Sequence, residues 1–232
     1  MIGRMRKGIR MPEAIRMVVF DWDGTLLDST GHIVESLQLA AERLGWPVPE
    51  AEKARDIIGL GMQESIVALF GERSEADVRS YRATYSEIFF TRPYTRVDLF
   101  PGVERMLEVL GARGYRLAVA TGKSRPGLDR VLKVLDLQGV FEITRCADET
   151  RSKPDPKMLL EIQVASRLAA REMVMVGDTT YDLEMAKRAS VPGIGVAYGA
   201  HGRERLIPYQ PLTILERAIE LLDVMESCGH HV

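Results

Sequence analysis

The chain has 232 residues, 46% of them hydrophobic, with 31 basic against 33 acidic side chains and a formal charge of −2. At about 150 residues per domain that is between one and two domains, with enough apolar side chain to exclude wholesale disorder. So balanced a charge offers no field for nucleic acid or an anionic membrane, and no apolar run approaches the ~18 residues of a membrane span.

Residues 1–16 carry Arg4, Arg6, Lys7, Arg10 and Arg16 against Glu13. Only the short run Met17–Phe20 follows before Asp21, too little for the apolar stretch of a secretory signal. Residues 1–14 are therefore expected to be a solvated tail, with Met11 as an alternative start, and the default location is a reducing cytoplasm. The two cysteines, Cys146 and Cys228, form no C-x-x-C pair. His32, His201, His230 and His231 have no zinc-like spacing, and the last two are expected to belong to a frayed end.

Along the chain, Met17–Phe20, Leu117–Ala120, Val140–Ile143, Met173–Val176 and Ile194–Ala197 are near-continuous apolar runs. Parallel strands buried on both faces have that pattern. Helix-period faces lie between them: Val103/Met106/Leu107/Leu110, Leu128/Val131/Leu132/Leu135, Met158/Ile162/Ala165/Ala169 and Leu183/Ala186/Ala189, with Leu215/Ala218/Ile219/Leu222/Met225 as a last helix. Strand–helix alternation predicts an α/β fold with a doubly wound parallel sheet. One interval is too long for a single crossover. Residues 28–98 show almost only helical patterns: Ile33/Leu37/Ala40/Ala41/Leu44 closed by Gly45-Trp46-Pro47, then Ile66/Leu69/Phe70, then Tyr81/Tyr85/Ile88/Phe89. The expected division is a core of 15–27 and 99–232 with an inserted all-helical unit at 28–98.

Ligands of open α/β sheets bind beyond the carboxyl ends of the strands. Asp21-Trp22-Asp23-Gly24-Thr25 follows the first strand and Thr121-Gly122-Lys123 the second. Lys153-Pro154 precedes the fourth, and Gly177-Asp178-Thr179-Thr180-Tyr181-Asp182 follows it. Four carboxylates converging in one crevice repel one another, and a divalent cation removes the conflict. Carboxylate oxygens suit Mg²⁺, which keeps waters and takes phosphate oxygens. Loop amides beside Gly24 and Gly122, with Thr121 and Lys153, form an anion cradle. Acids, a metal and an anion cradle together suggest phosphoryl transfer. Two near-misses are rejected: Gly122-Lys123-Ser124 lacks the first glycine of a P-loop, and Gly59-x-Gly61 has Glu64 where a dinucleotide fold needs a third.

The ordered set Asp-x-Asp-Gly-Thr, Thr-Gly, Lys-Pro and Gly-Asp-Thr-x-x-Asp resembles the four motifs of the haloacid dehalogenase superfamily, over roughly residues 15–200. The stretch from Phe20 to Ser29, with the helical insert, is similar to the phosphoglycolate phosphatase-like branch. The resemblance implies a Rossmann-like core with a helical cap. It implies Asp21 as nucleophile and metal ligand, and Asp23 as general acid and base with its backbone carbonyl on the metal. Thr121, Gly122, Lys153 and the Trp22 amide would hold the phosphoryl group. Asp178, with Asp182 beside it, would hold Mg²⁺. A cap loop at Gly59, Gly61 and Met62 would face the substrate's leaving group. The bulk of Trp22 could narrow the entrance.

The implied activity is a Mg²⁺-dependent phosphatase for a small phosphorylated metabolite, phosphoglycolate first. A pyrophosphatase, a sugar-phosphate mutase or phosphotransferase, and a non-catalytic binding protein of the same fold stand as alternatives. The partner expected is the small phosphorylated molecule alone, without nucleic acid or membrane, for a monomer or homodimer. No role transfers to Lys123, which reads as a solvated surface lysine, or to His201. Asp155 reads as a helix start, Asp28 as part of the hinge, and Asp148 and Glu149 as possible neighbours of the metal.

Overall fold

The computed structural model describes residues 15–226; the expected tail at 1–14, Cys228 and His230-His231 lie outside the described residues. Six strands, β1 (Met17–Phe20), β2 (Arg116–Thr121), β3 (Ile143–Cys146), β4 (Met173–Gly177), β5 (Gly193–Val196) and β6 (Ile214–Leu215), form one all-parallel sheet in the order β3-β2-β1-β4-β5-β6.

The sheet is covered on both faces, and alternation along each strand divides its side chains between them. Val18 and Phe20 join Val119, Val174 and Val176 on one face. There they meet α5 (Val103–Ala112), α6 (Arg125–Val134) and α10 (Leu221–Glu226) through Met106, Leu110, Leu128 and Leu221. Met17, Val19, Ala118 and Met175 face the other way, onto α7 (Lys157–Ser166) and α8 (Thr180–Arg188) through Met158, Ile162 and Met185. With both faces buried, each large apolar side chain contributes about 1.5–3 kcal/mol of burial, which is why these strands lack polar alternation. A short helix α9 (Arg203–Leu206) follows β5.

Four helices, α1 (Thr30–Arg43), α2 (Ala51–Asp56), α3 (Met62–Phe70) and α4 (Glu75–Phe89), stand between β1 and β2 in the chain. Gly45, with φ of 68°, turns the chain after α1. Ser74 caps α4 by accepting from the Asp77 amide at 3.2 Å. Trp46, Phe70 and Tyr81 make an aromatic knot between α1, α3 and α4, with centroids 5.1–5.2 Å apart. The two linkers into and out of these helices are tied together: Leu27 bridges Leu99, and the Asp28 amide donates to the Asp98 carbonyl at 2.8 Å.

Three expected elements shift. The helix expected to reach Ala169 ends at Ser166, where Arg167 turns left-handed with φ of 59°. The third strand begins at Ile143 rather than Val140. Phe141 instead plugs the core in a T-shaped contact with Trp22, with centroids 5.9 Å apart. β3 is an edge strand with one neighbour, so it carries Thr144 and Arg145 and lacks the continuous apolar signature. Leu215 lies in β6, and the last helix starts at Leu221 after a 3₁₀ turn at Ala218–Glu220. A two-residue strand has no periodicity to read.

Candidate active site

β1 is central, paired with β2 on one side and β4 on the other, with Phe20 beside both Val119 and Val176. That register aligns three carboxyl ends, and between β1 and β4 the sheet reverses its direction of growth. Asp21, Thr121 and Asp178 therefore leave the sheet at one level. The Asp21 amide continues the ladder, donating to the Val176 carbonyl at 2.9 Å.

The buried Lys153 ammonium joins the centre, donating to Asp21 Oδ1 and to Asp182 Oδ1 at 2.6 Å each. Asp182 has two tasks. Its Oδ2 accepts from the Thr179 amide at 3.1 Å and hydroxyl at 2.7 Å, closing the capping box of α8, while Oδ1 faces Lys153. Asp178 Oδ1 accepts from the Thr25 hydroxyl at 2.9 Å and Oδ2 from the Ala200 amide at 2.7 Å. A side chain on Gly24 or Gly199 would strike Asp178, so these glycines give the carboxylate its room.

Asp21, Asp178 and Asp182 offer oxygens that all lie within 4.8 Å of one another. One ammonium faces three carboxylates. Burial holds Asp21 well above the usual carboxylate range, with Asp182 and Asp178 adding to the rise against the pull of Lys153. Burial and then Asp182 push Asp178 up to about 7. For Lys153 burial acts downward, but Asp182 and Asp21 outweigh it and hold the ammonium above its usual value. Asp21 Oδ2 is buried with no hydrogen-bond partner. An all-oxygen cluster of three buried carboxylates facing a single ammonium fits a hard divalent cation.

Asp23 is near this cluster but turned from it. Its carboxylate accepts from the Ser29 hydroxyl at 2.6 Å and from Lys123 Nζ at 2.9 and 3.0 Å. Lys123 is thus no surface lysine. Its side chain is 8% exposed, and its ammonium lies 4.7 Å from the centroid of Phe89 on α4. Its position two residues after the strand-end Thr121 was the available signal. The Thr121 hydroxyl is buried and accepts from the Lys123 amide at 3.1 Å.

Other expectations change too. Trp22 does not narrow the entrance: its side chain is fully buried in the core, in a T-shaped contact with Phe141. Asp148 accepts from the Arg125 amide and Glu149 pairs with the Arg125 guanidinium, so neither joins the triad. Asp155 accepts from the Lys157 amide at 2.9 Å, as a helix start should. Buried His201 accepts at Nδ1 from the Thr180 amide at 3.1 Å and reaches the Asp56 carbonyl with Nε2 at 3.1 Å. Burial lowers its basicity, and its contacts are structural.

Above the centre opens a cleft of about 670 Å³, with Asp21, Asp23, Thr121, Gly122 and Lys123 on its floor and Gly59, Gly61 and Met62 on its opposite wall. The wall loop rests on the floor. The Gly61 amide donates to Ser152 Oγ at 2.7 Å, and the Tyr181 hydroxyl to the Asp56 carbonyl at 3.0 Å. A Cβ on Gly122 would lie 2.5 Å from the Leu60 carbonyl oxygen and 2.6 Å from that of Gly59, so only glycine permits this approach.

The model of the haloacid dehalogenase-like hydrolase family matches residues 18–196. The chain belongs to that family. It is 33% identical over 219 residues to the tyrosine-protein kinase PtkA of Mycobacterium tuberculosis, covering 94% of this chain and 74% of the relative. To the probable phosphatase IndB of Dickeya dadantii it is 34% identical over 212 residues, covering 89% and 91%. To the phosphoglycolate phosphatase of Escherichia coli it is 29% identical over 235 residues, covering 92% and 93%. Among solved structures, a putative haloacid dehalogenase-like hydrolase from Bacteroides fragilis matches with a TM-score of 0.81 at 27% identity, covering 89% of this chain and 99% of that one. By membership and by its phosphatase relatives the chain is an enzyme, a phosphatase of this family. No helix among the described residues is long and apolar enough to cross a membrane.

Proposed function

We propose that this hydrolase is a Mg²⁺-dependent phosphatase that cleaves small phosphomonoesters through an aspartyl-phosphate on Asp21. The observation that carries the reading is Asp21 Oδ2, buried and unpartnered at the floor of the cleft while Oδ1 is fixed by Lys153. One oxygen is held and the other is left to react. In the first step Oδ2 bonds to phosphorus and the bond from phosphorus to the leaving oxygen breaks, with Asp23 giving that oxygen a proton. In the second, Asp23 takes a proton from water as the water oxygen attacks phosphorus, and the Asp21–phosphorus bond breaks. Thr121, with the Gly122 and Trp22 amides, would hold the phosphoryl oxygens, and Lys153 would offset their charge. Mg²⁺ held by Asp21, the Asp23 carbonyl, Asp178 and Asp182 would supply charge neutralisation on the phosphoryl group. Asp23 accepts from Lys123 and Ser29 here, the contacts of its base form; to act as the acid it would exchange the Lys123 pair for a proton, which it then gives to the leaving oxygen.

Residues 28–98 would act as a cap over a core of 15–27 and 99–232, hinged at the paired linkers and closing through Gly59, Gly61 and Met62 to exclude bulk water. The name of the Escherichia coli relative supports testing phosphoglycolate first on a substrate panel. The mycobacterial relative's kinase name keeps phosphotransfer to a second acceptor as the other reading. The test is phosphate release from a panel of phosphomonoesters with and without Mg²⁺, by the native chain and by Asp21→Asn. Mg²⁺-dependent release that Asp21→Asn abolishes is expected. Undiminished release by Asp21→Asn would refute the mechanism, and transfer to an added alcohol without net release would favour the phosphotransferase.

A further inference from the structure

Resting on the phosphatase reading, we propose that the leaving group this cleft selects is a ring-bearing alcohol or phenol rather than a two-carbon acid. The first ground is size. About 670 Å³ lies in the range, about 300–1,000 Å³, that encloses drug-sized ligands. A two-carbon acid held by its phosphoryl group at Asp21 would leave most of that space to water.

The second ground is the chemistry of the wall. The cleft that Asp21 lines is lined also by Leu60, Met62, Tyr85, Phe89 and Phe90. Tyr85 stacks on Phe89 with centroids 5.4 Å apart, and Phe89 meets Phe90 edge to face at 5.5 Å. Phe89 is itself buried, with His32, Tyr85 and Lys123 over its ring, so the rings left open to the cleft are the half-buried Tyr85 and Phe90. A ring entering above Asp21 can add to that array in the offset or edge geometry aromatic pairs prefer.

The third ground is what an acid would lack. A free carboxylate on the leaving group needs a cation to replace its water. Lys123 faces the cleft but is committed to both oxygens of Asp23 and to the face of Phe89. Arg82 lines the cleft and has no ion pair among the described residues. It is seven residues before Phe89 on α4, so its Cα stands about 10 Å along the axis from the residue that Lys123 covers. An acidic leaving group beside Asp23 would compete with it for Lys123, whereas a neutral ring leaves that pair alone.

The experiment compares kcat/KM of the full chain with Mg²⁺ for benzyl phosphate, phosphoglycolate and acetyl phosphate. Benzyl phosphate has an alcohol leaving group like glycolate, so the comparison reads recognition rather than bond lability. Benzyl phosphate is expected to exceed phosphoglycolate by about tenfold or more, mostly through a lower KM. Tyr85→Ser should bring that ratio close to unity, and Tyr85→Phe, which keeps the ring, should preserve it. Phosphoglycolate turned over as well as benzyl phosphate, or better, overturns the inference. The phosphatase reading survives that result wherever acetyl phosphate is hydrolysed; no turnover of any of the three overturns both.

Discussion

Replacing Asp178 by Asn tests the electrostatics of the acidic triad directly. Burial and the neighbouring Asp182 lift the Asp178 carboxyl from its ordinary range to about 7. Its unfolded-state value is about 3.9. Between those values the native state holds the proton more tightly, so the stability of the metal-free protein falls as pH rises from about 4 to about 7. At ~1.4 kcal/mol per pH unit, a rise of about three units costs the metal-free fold on the order of 4 kcal/mol at pH 7.5. The triad shares its protons, so this cost belongs to the cluster more than to one side chain. Asn has nearly the same shape and no charge. Its Oδ1 can accept from the Ala200 amide, and its Nδ2 can donate to the Thr25 hydroxyl. In a chelator, Asp178→Asn should therefore melt above the native protein at pH 7.5, by roughly 10 °C at ~2–4 °C per kcal/mol for a chain of this size. The gain should shrink at pH 5, where the native carboxyl is protonated. Added Mg²⁺ should raise the melting temperature of the native protein at pH 7.5 and leave the variant unmoved. Thermal melts at both pH values, with chelator and with Mg²⁺, read all of this. A metal-free variant that melts below the native protein at pH 7.5, or a difference unchanged at pH 5, would refute the reasoning.

Lys153→Met should destabilise the fold by about 3–5 kcal/mol at neutral pH, since it leaves Asp21 and Asp182 buried without their shared cation; urea unfolding measures the loss. Gly122→Ala should keep the melting temperature within a few degrees, on the order of 1 kcal/mol, because the new Cβ meets the wall loop rather than the sheet. Its kcat/KM should fall by about tenfold or more as that loop is pushed off the floor, which costs about 1.4 kcal/mol in the barrier. Burial pushes the Cys146 thiol up to about 12, so in a Cys228→Ser background a thiol reagent at pH 8 should label the chain only after denaturation.

By itself, the sequence determined the parts of this protein that depend on neighbours along the chain. Buried parallel strands must be apolar on both faces, so β1, β2, β4 and β5 stood out as short apolar runs. Chemistry at the carboxyl end of a strand must follow the strand directly, so Asp21, Asp23, Thr121 and Asp178 could be read from position. The edge strand β3 and the two-residue β6 were not legible, because one neighbour or two residues impose no pattern.

Only the tertiary structure decided how residues far apart in the chain divide the work. Asp182 both caps α8 and holds Lys153, and nothing in a spacing of four residues separates those roles. Trp22 turned inward because Phe141, more than a hundred residues on, gave its ring an apolar partner. Lys123 looked like any charged loop residue. It is buried because Asp23 compensates its charge and Phe89 of α4 covers it, one partner a hundred residues before it and the other across the cleft. A charge can leave water only where opposite charge and a polarisable face meet it, and that meeting exists only once the chain has folded.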